Sequence, residues 1–144
     1  METREFVIDS SVVAKWFLME EGAEVALRIR DTFAIGRMLL AVPTLLFYEV
    51  MNALRYGGAF TGEDLALASR SLSKYDFEVW QPRGRLLEHS VELSFREEVT
   101  VYDACYVALA LRKRTRVITE DEELLEKFPK NSISLTRSIE ILGS

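Results

Sequence analysis

Residues 5–16 read E-F-V-I-D-S-S-V-V-A-K-W, and the change of period inside this stretch decides the fold. Residues 5–8 have the short, branched, apolar character of a buried strand. The run stops at Asp9, and Ser10 or Ser11 then stands where a helix N-cap belongs, opening a helix predicted to reach Met19. A strand that passes at once into a helix is the building unit of a parallel sheet, whose neighbouring strands need crossovers.

The same unit recurs along the chain. Further strands are expected over residues 39–42, 77–80, 116–119 and 132–135. Helices are expected over 23–35, 44–57, 61–74, 83–97, 101–114, 122–128 and 137–142. Gly57-Gly58 marks a helix C-terminus, and T-G-E-D at 61–64 is a capping-box pattern with Asp64 in place of the usual glutamate. Strands separated by helices pair in parallel through right-handed crossovers. The expectation is a single α/β domain over residues 1–144: a three-layer α/β/α sandwich around a parallel sheet of about five strands.

Four acids stand where solvated surface charge has little reason to be. Asp9 ends the first apolar run, and Glu49 is the one charge in 42–54. Asp103 is the one charge between Thr100 and Leu111, and Asp121 follows the stretch V-I-T at 117–119. An apolar setting penalises an ionised carboxylate by several kcal/mol, roughly, unless something pairs with it. No lysine or arginine adjoins the first three. Asp9 and Asp121 fall at the carboxyl ends of strands, where open parallel sheets build their sites, and Asp103 falls in the first turn of a helix. Asn52, three residues after Glu49, shares its helical face and is placed to orient it. Together these acids imply a hard divalent cation held by oxygen ligands. Glu120 is the alternative to Asp121 for the fourth position.

Composition narrows the classes. The chain is 49% hydrophobic and 28% charged, ordinary for a globular domain, and no apolar run approaches the ~20 residues of a membrane span. The mixed-charge N-terminus argues against a signal peptide, so the expected location is the cytoplasm. One cysteine, Cys105, and one histidine, His89, exclude an intrachain disulfide and a His/Cys zinc site. Cys105 reads as a core residue and His89 as a surface one, with no nucleophile placed beside it. A net charge of −5 opposes electrostatic wrapping of nucleic acid, although Arg112, Lys113, Arg114 and Arg116 form a compact basic cluster able to touch phosphate. The apolar content of 23–35 and 61–74 serves either a partner surface or the core.

Taken in order, F-V-I-D-S-S-V-V-A-K-W-F, L-F-Y-E-V-M-N-A-L, Y-D-A-C-Y-V-A-L-A and V-I-T-E-D-E-E-L-L resemble a PIN domain, most closely the VapC toxins of toxin–antitoxin pairs. The resemblance runs from Phe6 to Leu142. It implies a ribonuclease dependent on Mg²⁺ or Mn²⁺, silenced by a VapB-type antitoxin and forming a homodimer. The family's acidic constellation carries over onto Asp9, Glu49, Asp103 and Asp121 as metal ligands and catalytic groups. Thr119 matches its helper hydroxyl, and Ser10 and Asn52 match supporting positions. Glu120 is a departure from the pattern.

Other classes fit less well. A haloacid-dehalogenase-type phosphatase wants a second aspartate where Ser11 stands, and a phospho-receiver domain wants an acid after its central strand, whereas residues 77–80 lead into Gln81-Pro82. A PIN-domain processing nuclease, or a non-catalytic binding module outside any toxin pair, keeps the fold and changes the biology.

Overall fold

Val7 and Ile8 have no exposed surface, which is possible only for a strand flanked on both sides and covered on both faces. The structure, a computed structural model, describes residues 3–142 and puts that strand at the centre of the sheet. The strands are β1 (Arg4–Ile8), β2 (Met38–Pro43), β3 (Glu78–Trp80), β4 (Val117–Thr119) and β5 (Ser132–Ser134), in the order β3-β2-β1-β4-β5. Every pairing is parallel, with Val7 opposite Ala41 on one side and Val117 on the other.

This order has a functional consequence. The chain walks outward from β1 to β3, then returns to lay β4 on the other side of β1. Between β1 and β4 the direction of winding reverses, and the connections leaving those two strands diverge to leave a crevice at their carboxyl ends. Asp9 and Thr119 stand at that crevice.

The helices are α1 (Ser10–Val13), α2 (Ala23–Ala34), α3 (Leu45–Gly57), α4 (Gly62–Ser73), α5 (Arg85–Glu97), α6 (Val101–Arg112), α7 (Glu122–Lys127) and α8 (Ile139–Leu142). The α6 helix is apolar nearly all round because Ala104 through Ala110 are buried: it lies across β1, β2 and β4 and is itself covered by α5. The apolar stripe of α2 (Ala26, Ile29, Phe33) belongs to the core, so the partner-surface alternative fails for most of that helix. On α4 only Ala68 and Leu72 are buried, while Leu67 remains exposed. Trp16, Phe33, Phe47, Tyr75 and Phe77 form an aromatic cluster in which the Trp16 and Phe77 rings stack 5.9 Å apart.

Two sequence expectations need correction. The first helix does not reach Met19: α1 ends at Val13 and tightens into a 3₁₀ turn over Ala14–Trp16. That turn aims Trp16 into the aromatic cluster, and Lys15 then fastens the following loop through Glu20 and the Glu21 carbonyl, leaving Met19 almost fully exposed. Nor do Ser10 and Ser11 cap that helix, because Asp9 does. Elsewhere the elements agree with expectation to within about two residues, the last helix included, which begins at Ile139 rather than 137.

The capping box at the start of α4 is complete: the Thr61 N–H donates to Asp64 Oδ2 (2.9 Å) and the Asp64 N–H donates to Thr61 Oγ1 (3.1 Å). Thr61→Ala is therefore expected to lower stability by about 1 kcal/mol in urea denaturation. An unchanged midpoint would mean that α4 is held by packing alone.

Candidate active site

The site starts from one buried acid. Asp9 follows β1 and, at 5% exposure, is the most deeply buried carboxylate among the described residues. Its Oδ1 accepts from the Ser11 N–H (3.1 Å) and the Ser11 hydroxyl (2.5 Å), while its Oδ2 accepts from the Thr119 hydroxyl. Thr119, the last residue of β4, in turn accepts from the Asp121 N–H at 2.9 Å, and Ser11 accepts from the Glu120 N–H at 3.0 Å. A hydroxyl on each side thus ties the β1 end to the turn after β4.

The other acids come from helix starts and one helix interior. Asp103 lies in the first turn of α6, whose N-cap Thr100 bonds the Asp103 N–H at 3.0 Å. Asp121 caps α7, accepting from the Leu124 N–H at 3.1 Å. Glu49 lies in the second turn of α3 and accepts a 2.6 Å hydrogen bond from the Tyr106 hydroxyl, a residue one helical turn beyond Asp103. Ser10 lies beside both groups and its hydroxyl pulls the Glu49 and Tyr106 pKa values down.

Electrostatics shows that these groups share one neighbourhood. Burial raises the Asp9 pKa to about 6, the Ser11 and Thr119 hydrogen bonds offset part of that rise, and the Asp121 charge adds to it. Asp103 is raised by burial and then by Asp121, and Glu49 is raised by burial and then by Asp103. The four carboxylates are therefore linked in series, Asp9 to Asp121 to Asp103 to Glu49, and no lysine or arginine contributes to any of the three shifts. Such a donor set, all oxygen and all anionic, fits a hard divalent cation and no softer one.

The convergence is nonetheless looser than a finished ligand cage. Among the described residues no three acidic, histidine or cysteine side chains gather closely enough to form a ready-made metal group. Asp9, Glu49, Asp103, Asp121 and Thr119 are thus brought together as neighbours.

The remaining candidates divide. Ser10 supports Glu49 and Tyr106, whereas Asn52 is exposed and lines a groove with Glu49 and Glu120 instead of bonding Glu49. Glu120 reaches the site through its backbone N–H, and Asp121 supplies the charge that Asp9 and Asp103 feel. The basic cluster lies elsewhere: Arg114 and Arg116 line a cleft with Arg4 and Lys130 at the amino ends of β1 and β4. Lys113 pairs with Glu5 and Glu78, and Arg112 sits over the Trp80 ring. Two partners escaped sequence reasoning, Ser11 as a donor to Asp9 and Tyr106 as a donor to Glu49. The position of Tyr106, three residues after Asp103 on an otherwise apolar helix, is the signal that could have found it.

A pH test follows for metal-free protein. Asp9 has a folded pKa of about 6 against an ordinary 3.8, so the folded chain binds this proton more tightly than the unfolded chain does. The resulting stability is complete below pH 3.8 and is lost as pH rises through 6, by about 3 kcal/mol at the plateau. Asp9→Asn, which keeps an oxygen for Ser11, is expected to be more stable than the parent at pH 7.5 in EDTA, with the gap closing by pH 4. Parallel pH profiles in urea denaturation would refute the burial of this charge.

Known proteins agree with the fold. A ribonuclease named VapC3 from Pyrobaculum aerophilum is 32% identical over 134 residues, covering 87% of this chain and 95% of its own length. The crystal structure of PAE2754 from the same organism superposes with a TM-score of 0.70 at 28% identity, covering 96% of this chain and 95% of that one. A toxin–antitoxin complex from Klebsiella pneumoniae shares the fold at 19% identity and a TM-score of 0.67, with 90% and 97% covered. The PIN domain model matches residues 6–131, from the strand that presents Asp9 to the edge of β5, and the chain belongs to the PIN domain family.

Proposed function

We propose that this chain is a Mg²⁺- or Mn²⁺-dependent ribonuclease of the VapC type, the toxin of a toxin–antitoxin pair. The observation that carries the reading is the series of four coupled carboxylates, one of them buried, with no basic side chain to neutralise them. The likeness to a ribonuclease over most of both chains supports the same chemistry.

Asp9 and Asp103 are the principal holders of the ion, with Glu49 and Asp121 completing the set directly or through water. When bound, the ion supplies positive charge for the scissile phosphate and acidifies the attacking water. Thr119 and Ser11 hold the Asp9 carboxylate in one orientation, so that it does not rotate away when its charge is required. Tyr106 and Ser10 do the same for Glu49. Because the Asp9 proton leaves near pH 6, ion binding and activity should rise across that pH. The substrate is single-stranded or locally open RNA, whose backbone can enter the crevice. The phosphatase alternative loses its footing, since Ser11 occupies the required acid's position and donates to Asp9.

Asp103→Asn is near-isosteric and keeps the backbone bond from Thr100. It is expected to fold and to lose about 100-fold or more of Mn²⁺-stimulated cleavage, since even the partners that orient a metal ligand commonly cost about 10–100-fold when removed. The assay is a panel of tRNA, rRNA and mRNA with Mn²⁺ or EDTA, and parent-like cleavage by the mutant would remove the assignment.

The partner is a VapB-type antitoxin encoded beside this chain, and the working unit is a homodimer. No described helix is long and apolar enough to cross a membrane. Co-expression with the neighbouring small gene product is expected to give a stable complex with suppressed cleavage and, by light scattering, two copies of this chain. Unsuppressed cleavage with no complex would favour a processing nuclease outside any pair.

A further inference from the structure

The surface beside Glu49 is unusual. Of the five tyrosines in the chain, Tyr106 is buried and Tyr75 joins the aromatic cluster, but Tyr48, Tyr56 and Tyr102 are 81%, 76% and 66% exposed. All three lie close in sequence to site acids: Tyr48 precedes Glu49, Tyr56 follows it by two turns, and Tyr102 precedes Asp103. At about 100° per residue, Arg55, Tyr48, Asn52, Tyr56 and Glu49 fall within about 120° of one another around α3. The opposite side of the helix carries the buried Leu46, Val50 and Leu54. Two surface grooves meet along this face: one joins Glu49, Asn52 and Tyr56 to Ser10 and Glu120, the other joins Glu49 and Asn52 to Tyr48 and Arg55. The Arg55 guanidinium lies 5.0 Å over the Tyr56 ring.

We infer that this face of α3 is a base-stacking ledge that guides single-stranded RNA to the carboxylates, with Tyr48 and Tyr56 stacking bases and Asn52 meeting a base edge. The inference rests on the ribonuclease reading and adds to it how the substrate is held. Charge is the argument. The chain carries −5, and the groove leading to the site is bordered by Glu20, Glu49 and Glu120. Phosphate contacts cannot supply much affinity there: Lys15 in that groove is held by Glu20 and the Glu21 carbonyl, Arg55 is the cation of the second groove, and the Arg114–Arg116 cleft lies at the other end of the sheet. Stacking on a neutral ring does not depend on charge and tolerates any base. An Asn side chain can pair with base edges that only an open strand exposes. Tyr48 and Tyr56, eight residues apart, are separated by about 12 Å along the helix, so they engage different nucleotides.

The test is fluorescence anisotropy of a labelled, unstructured oligoribonucleotide with Ca²⁺ as the ion, alongside Mn²⁺ cleavage kinetics. Tyr56→Ala and Tyr48→Ala are each expected to weaken binding about 10-fold, and Tyr56→Phe to stay within about twofold of the parent. Affinity for the parent should fall only about threefold between 50 and 200 mM salt, as for a single phosphate contact. In cleavage, KM should rise while kcat holds. Unchanged binding and KM in both alanine variants would overturn the ledge while leaving the nuclease intact. Tyrosine-dependent binding without cleavage would keep the ledge and remove the chemistry. Loss of antitoxin binding alone in Tyr56→Ala would make this face a protein contact and overturn the inference.

Discussion

A single buried anion sets the terms for the rest of this molecule. The Asp9 carboxylate takes Ser11 on one oxygen and Thr119 on the other, so the end of β1, the start of α1 and the turn from β4 into α7 are all positioned against it. Hydrogen bonds from two hydroxyls and an amide offset only part of the desolvation, which is why its pKa stays near 6. A chain shaped for stability alone would put a neutral residue there. Unfavourable charge retained at the carboxyl edge of a parallel sheet marks a place where charge is used.

The fold surrounds that anion with partial compensation only. Asp9, Asp103 and Asp121 each sit at a helix N-terminus, where the backbone presents unpaired N–H groups and a fractional positive charge. Helix ends screen within about one turn, and α1 and α7 are short, so α6 contributes most. Glu49 has no helix end and relies on Tyr106 and Ser10 instead. The reversal of winding between β1 and β4 supplies the crevice, and β2 leads α3 and Glu49 to the same edge. On the proposed reading a divalent ion would supply the charge that helix ends and hydrogen bonds leave uncompensated.

How far this arrangement is legible in sequence depends on the range of the interaction. Alternation of apolar runs with capped helices is local chemistry, and it predicts the parallel sheet, the α4 capping box and three of the four acids at one edge. Ser10 or Ser11 stands in the sequence where the N-cap belongs, yet the aspartate caps the helix and Ser11 donates to it instead. That exchange depends on β4 arriving with Thr119, more than a hundred residues later in the chain. The bond from Tyr106 to Glu49 is likewise a product of α3 and α6 meeting, and a tyrosine among alanines reads as core until they do. The early end of α1 follows from the aromatic cluster, since Trp16 packs on residues 75 and 77. Long-range packing overrode local preference at each of these points.

Charge separation along the sheet gives the last constraint. Arg114, Arg116 and Lys130 line a cleft at the amino edge, while the acids stand at the carboxyl edge, so a basic cleft and the acidic site lie at opposite edges of the sheet. A polyanion approaching the acidic edge meets repulsion until cations bind there, and the long-range field steers it toward the other end. On the proposed reading, productive binding is therefore ordered: cation first, then strand, with short-range contacts that ignore charge holding the strand in place. Exposed rings on α3, next to Glu49 and away from every basic cluster, are the surface such an order requires. On that reading the bound ion would both complete the chemistry and relieve the repulsion that the fold tolerates without it.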